Sequence, residues 1–134
     1  RRAILYPQDW LIVYEIDHLI FTWRLYNNLA DFEKLRLDQV NNPKGCKFGK
    51  WVTAQTDPRI TNSPAFRQAV KYHDEIHAHA VDCWNAKKDG NRAEALRHFQ
   101  LAYAAYPQFV EGLHGIRKAI AATGDTRESN LEEF

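Results

Sequence analysis

Ser63-Pro64-Ala65-Phe66-Arg67-Gln68-Ala69-Val70-Lys71-Tyr72-His73-Asp74-Glu75-Ile76-His77 is the stretch on which the fold turns. Serine before proline marks a helix start: the hydroxyl caps a free N–H, and proline at the first helical position needs no donor there. Neither glycine nor proline follows until Asp89-Gly90-Asn91, so one helix is predicted from Pro64 to about Lys88, closed by a turn that tolerates left-handed backbone. Its inward stripe reads Phe66, Val70, His73, His77, Ala80 and Trp84. Two histidines thus stand one helical turn apart on one face, where two imidazoles can meet one metal ion.

Upstream, a first helix is expected from Pro7 or Asp9 to about Phe32 or Glu33, with an apolar stripe of Trp10, Tyr14, His18, Phe21, Leu25, Leu29 and Phe32. A second stripe (Ile12, Ile16, Leu19, Trp23 and Tyr26) covers another side. A helix apolar on two sides needs two partners, one within the domain and one in another subunit. Residues 34–62, with Asn41-Asn42-Pro43, Gly45, Gly49 and Asp57-Pro58, read as a long connection around one short helix near Phe48 to Thr53. So long a connection is functional or tied down, and a metal bound through Cys46 would tie it.

Downstream, Arg92 to Tyr106 is expected as helix with Leu96, Phe99, Tyr103 and Tyr106 inward. Pro107 should kink or break it, with Phe109, Leu113, Ile116 and Ile120 carrying the pattern to about Ala122. No β-hairpin signal occurs. The fold class is all-α: an antiparallel four-helix-type bundle with a short extra helix carrying Cys46. One domain is expected over residues 1–134, its core at about 9–122 and a loose polar tail at 124–134.

Composition narrows the function. The 134 residues are 45% hydrophobic and carry 18 basic against 17 acidic side chains, so nothing favours nucleic acid or an anionic membrane. The longest apolar run, Leu11-Ile12-Val13-Tyr14, cannot span a bilayer, and no signal-peptide pattern opens the chain. Two cysteines suit a reducing cytoplasm as free or metal-bound thiols. With no methionine even at position 1, the chain is expected to be a domain of a longer protein whose output lies elsewhere.

His18, Cys46, His73 and His77 form the candidate metal set. Three imidazoles and a thiolate close a tetrahedral shell, which suits a zinc that senses or supports rather than hydrolyses. Gly45 and Gly49 allow close approach to Cys46, while Lys47, Lys50 and a helix N-terminus favour its thiolate. Cys83 lacks that setting and reads as packing. His79, two residues from His77, faces elsewhere on the helix. Asp17 and Asp74 either accept a second ring N–H of a ligand or are plain solvated charges. Trp23 and Trp51 read as core.

Blander readings compete. Paired histidines are often just packed in a bundle, but a thiol and a third in-line histidine favour metal. Gly90, Ala95-Leu96, Phe99, Ala102 and Pro107 match half of a tetratricopeptide repeat, yet no second copy follows to make a helical scaffold. A hemerythrin-like di-iron bundle would need more histidines, bridging carboxylates and no thiolate here. A hydrolase would need an open metal position and a general base.

Three segments carry a family resemblance: Asp17-His18 with Trp23-Arg24-Leu25-Tyr26, Cys46-Lys47-Phe48-Gly49-Lys50-Trp51, and His73-Asp74-Glu75-Ile76-His77. In this order and at these separations the chain resembles the chemoreceptor zinc-binding domain family of bacterial signalling proteins, over roughly residues 10–120. The resemblance implies a helical bundle holding one zinc through His18, Cys46, His73 and His77, and a homodimer. It further implies attachment to chemoreceptor signalling regions or diguanylate cyclases, reporting cytoplasmic zinc or oxidants such as hypochlorous acid. No catalysis is expected of the domain itself.

Overall fold

The computed structural model describes residues 4–5, 10–123 and 129–130. Three long helices make the frame: α1 (Leu11–Leu29), then α5 (Pro64–Lys88) and α6 (Arg92–Ala122). Three short ones, α2 (Leu37–Val40), α3 (Lys47–Ala54) and α4 (Pro58–Thr61), lie in the connection between α1 and α5. A two-residue antiparallel ladder, β1 (Ile4–Leu5) with β2 (Ser129–Asn130), pairs the chain's ends. The molecule is the all-α bundle that the helical periodicity requires. The rest of the tail expected to be loose, like Pro7 and Asp9, lies outside the described residues.

α5 forms as its sequence dictates. The Ser63 hydroxyl accepts from the Phe66 N–H at 3.2 Å, Pro64 opens the helix, and Gly90 turns the chain at φ 78°. α1 ends earlier than its apolar stripe suggested, at Leu29. Asp31 takes φ 67°, and its carboxylate binds Lys87 and Arg92 across the α5–α6 turn. Phe32, past this reversal, is therefore 80% exposed rather than part of the stripe.

Larger differences concern α6. Pro107 does not break it: the helix is continuous from Arg92 to Ala122. Proline removes the N–H that would reach the Tyr103 carbonyl, and both residues are on the exposed side, where water can take that bond. Leu96 and Tyr103, expected inward, are 45% and 56% exposed. The buried face holds Phe109, Leu113, Ile116 and Ile120 as expected, but before Pro107 it runs through Ala95, Ala102 and Ala105, with Gly112 joining it further on. Small residues win the interface because they let two helix backbones approach closely. At Gly112 an added Cβ would lie 2.6 Å from the Ala69 nitrogen.

This contact sets a prediction. Helix propensity alone would make Gly112→Ala stabilising by about 1 kcal/mol. Overpacking against rigid backbone costs about 1–3 kcal/mol, so the net change should be destabilising. A lower urea midpoint for Gly112→Ala is the expected result, and a higher one would show that the α5–α6 seam is looser than described.

The connection is held by side chains at fixed points. Buried Asn28 accepts from the Leu35 N–H at 2.9 Å, and the Trp84 indole donates to the Leu35 carbonyl at 2.7 Å. Two buried clusters result. One gathers Leu11, Tyr14, Phe48, Ile60, Phe109, Leu113 and Ile116, and the other Leu25, Leu29, Val40, Ala80, Cys83 and Ala102. Between them, along α1 and α5, come His18, His73 and His77.

Candidate metal centre

The four candidate side chains come from three elements. His18 sits mid-way along α1, on the same face as Tyr14 and Leu25. His73 and His77 occupy adjacent turns of α5. Cys46 caps α3, where its sulfur accepts from the Gly49 N–H at 3.4 Å. Gly49 is needed at that point, since a Cβ there would collide with the Pro43 carbonyl oxygen. The structure brings all four together, with one nitrogen or sulfur atom from each lying within 4.8 Å of the others.

Distances define the cluster further. Cys46 Sγ is 3.1 Å from His73 Nε2 and 3.9 Å from His18 Nε2. The ring centroids of His73 lie 4.8 Å from His18 and 4.7 Å from His77. His18 Nδ1 faces the Tyr14 carbonyl at 2.8 Å, and His77 Nδ1 faces the Val40 carbonyl at 3.1 Å. Only an N–H can face a carbonyl, so Nδ1 carries the proton in both rings and Nε2 keeps its lone pair. Those second-nitrogen bonds are what metal-binding histidines use to fix tautomer and orientation.

His77 Nε2 is buried and has no hydrogen-bond partner among the described residues. A buried polar atom left in that state costs about 1–3 kcal/mol, so it calls for a ligand. The surroundings are aromatic: Phe109 lies 4.8 Å from His18, Phe48 4.8 Å from His73, and Phe21 4.9 Å from His77, between ring centroids. Phe48 also stacks on Trp51, which is half-buried against the first cluster. A cavity of about 240 Å³ bordered by Asp17, Asp38, Asn42 and Gly45 opens onto His18, Cys46 and His77. Small molecules thus have a route to the sulfur.

Several expectations need correction. Trp23 is not core, being 66% exposed on the outer face of α1. Lys47 does not serve the thiolate: its ammonium is 4.0 Å from the Asp17 carboxylate, and Lys50 is exposed. Burial instead pushes the Cys46 thiol up, partly offset by the N–H groups of Gly49 and Phe48. Accordingly the sulfur lies 3.3 Å from the Pro43 carbonyl, to which a thiol proton can be donated. Asp74 Oδ1 is 3.7 Å from His73 Nδ1, too far for a hydrogen bond. Backbone carbonyls, of Tyr14 for His18 and of Val40 for His77, take the orienting role rather than Asp17 or Asp74. The Val40 carbonyl comes from a distant element, so no sequence pattern could have marked it.

Other titratable groups stay apart. Cys83 is fully buried on α5, its thiol pushed up to about 11 by desolvation. His114 lies on the surface beside Glu15, at 3.1 Å. His79 turns away from the cluster toward His98.

Set against known protein families, residues 18–84 match the chemoreceptor zinc-binding domain. The chain belongs to that family. The match begins at His18 and closes at Trp84, so it takes in all four clustered side chains. No curated protein and no solved structure matched the chain. A chemoreceptor zinc-binding domain is a regulatory, zinc-binding sensory module of chemoreceptor-type proteins. The residues present fit that metal: three borderline imidazoles and one soft thiol suit zinc and disfavour calcium or magnesium. No described helix is long and apolar enough to cross a membrane.

The metal-free zinc-binding domain should be acid-sensitive, and the sign follows from the histidines. Burial pushes His18 down to about 4 and His73 down to about 2, and lowers His77 as well. Their values in the unfolded chain are about 6.5, so the unfolded state takes up protons first as pH falls. Stability is fully present above about 6.5 and declines as pH falls from there towards the folded values. Urea midpoints of the metal-free domain at about pH 7.5 and 5.5 check this, and an unchanged midpoint would contradict it.

Proposed function

We propose that His18, Cys46, His73 and His77 hold one zinc ion as the sensory element of this domain. The single observation that carries the reading is the convergence of Sγ and one imidazole nitrogen from each of three histidines within 4.8 Å of one another. Zinc bound there would supply a fixed positive charge that displaces the thiol proton and joins α1, α5 and the α3 cap. Four protein donors leave no open position for an activated water, so the domain performs no catalysis of its own. Elemental analysis of the purified domain tests the reading, paired with melting in the presence of a strong chelator. Close to one tightly held zinc per chain and a lowered Tm are expected. A metal-free domain whose Tm ignores both zinc and chelator would overturn it.

The signal reported is cytoplasmic zinc or an oxidant such as hypochlorous acid, passed to a chemoreceptor signalling region or a diguanylate cyclase in the longer protein. Three features support an oxidant route: a half-buried sulfur, the opening beside it, and three histidine partners less easily oxidised than a thiolate. Occupancy or oxidation would act by tightening or releasing the Cys46 segment against the bundle, biasing one helix arrangement over another.

The output surface is the outer face of α1, in a homodimer. Ile16, Leu19 and Trp23 are 49%, 48% and 66% exposed. The face continues into a groove bordered by Leu19, Tyr103 and Val110 between α1 and α6. A contiguous apolar face of this kind is the mark of a protein interface. Ile16→Glu or Leu19→Glu should convert dimers to monomers or aggregates, read by light scattering. A wild-type domain that stays monomeric at high micromolar concentration would sink the idea.

A further inference from the structure

A second group of metal-ligating side chains lies outside the site just described. His79 and Asp82, one turn apart on α5, meet His98 of α6, and one ligand atom from each lies within 4.8 Å of the others. His79 Nδ1 is 3.3 Å from His98 Nδ1, and Asp82 Oδ2 is 3.7 Å from that same nitrogen. In a tetrahedral zinc shell with bonds of about 2.0–2.1 Å, neighbouring ligand atoms stand about 3.3–3.4 Å apart. The 3.3 Å separation matches a tetrahedral edge, and the 3.7 Å one needs only a small closure of the exposed Asp82 side chain. Both imidazoles are half-buried and Asp82 is exposed, so the three atoms border solvent.

We propose that His79, Asp82 and His98 form a second, weaker zinc site across the seam between α5 and α6. Two imidazoles and one carboxylate suit zinc or a similar transition cation, and disfavour calcium and magnesium, which want all-oxygen shells. Glu94 stands within reach: its Oε2 lies 3.5 Å from His98 Nε2, longer than a hydrogen bond, and would have to close on that nitrogen when Nδ1 binds metal. A carboxylate behind a metal-bound histidine fixes the ring and raises its basicity. Arg97 works the other way. Its guanidinium donates to His98 Nε2 at 3.3 Å, which leaves the ring proton on Nδ1, and forms two hydrogen bonds of 3.0 Å to Glu94, so metal binding must displace that contact and move the proton to Nε2.

With three protein donors, an open fourth position and a neighbouring guanidinium, the second site fills only after the first. It would pin α5 to α6 just beyond His77, extending the range of zinc concentrations over which the bundle responds.

Zinc titration of the metal-free domain against a chromogenic chelator tests this, using wild type, His98→Ala, Asp82→Asn and Cys46→Ser. Wild type should take up two equivalents, the second at least about tenfold more weakly. His98→Ala should bind one equivalent with unchanged tight affinity, and Asp82→Asn, at an exposed position, should weaken only the second. Cys46→Ser should weaken the tight equivalent and keep the weak one, which separates this proposal from the four-residue site. Cobalt substitution gives an independent readout, since only the first equivalent should show thiolate-to-metal charge transfer. Saturation of the wild type at one equivalent, or a second equivalent that persists in both His98→Ala and Asp82→Asn, would overturn the proposal.

Discussion

Replacing His77 by alanine should weaken zinc binding at the tight site by more than about 100-fold, while His114→Ala leaves it unchanged. Substitutions one shell removed from a metal typically cost about 10–100-fold, and loss of a ligand exceeds that. His77 is held through its Nδ1–H and the Val40 carbonyl, with Nε2 buried and without a hydrogen-bond partner among the described residues. Alanine removes both the donor and the tie to α2. The stability consequence separates these roles. In the metal-free domain His77→Ala also removes a buried polar atom that nothing satisfies, so its cost should be smaller than in the zinc-loaded protein. Chelator competition together with paired melts, with and without zinc, reads both. Equal zinc affinity in His77→Ala and wild type would exclude His77 as a ligand.

The second large effect concerns Cys46. Cys46→Ser should bind zinc more weakly and lose the response to oxidant, whereas Cys83→Ser should keep both. The net step is thiolate plus hypochlorous acid giving sulfenic acid plus chloride, with two electrons leaving sulfur. Sulfenic sulfur has lost its thiolate character and is a poorer ligand, so the α3 cap would detach from the cluster. Cys83, fully buried and with a thiol pushed up to about 11, offers neither access nor thiolate. Peptide mass spectrometry after a stoichiometric dose of hypochlorous acid should therefore find oxidation first at Cys46, with zinc release in parallel. Oxidation of Cys83 first, or oxidation of Cys46 without any change in zinc affinity, would leave a purely zinc-responsive or structural site.

Much of this was legible in the chain because the signals are local. Ser63-Pro64 and Gly90 bound α5 through backbone chemistry that needs no partner. The four-residue spacing of His73 and His77 fixes their common face, and one turn of helix places each near the other. What escaped the sequence depends on which helix meets which. Periodicity counts large apolar residues, so Leu96 and Tyr103 read as inward on α6. The real seam is chosen by close approach, through Ala95, Ala102 and Gly112 against α5, and Leu96 and Tyr103 are turned outward. Trp23 belongs to the second apolar stripe of α1, which this domain leaves exposed, and residue type alone makes a tryptophan there look like core.

The site shows the same division. Residue types and spacing indicated His18, Cys46, His73 and His77, but the groups that orient them did not follow from neighbours in sequence. Asp17 and Asp74 are adjacent to histidines yet face Lys47 or stand off the ring, while the Val40 carbonyl arrives from α2. His98 likewise carries no signal until α6 folds back on α5 and sets it beside His79.

X-ray absorption at the zinc edge, on the domain loaded with a single equivalent, tests the central claim most directly. A shell of three nitrogens at about 2.0 Å and one sulfur at about 2.3 Å is expected, with the sulfur lost in Cys46→Ser. A wild-type shell of nitrogen and oxygen alone, without sulfur, would contradict the account.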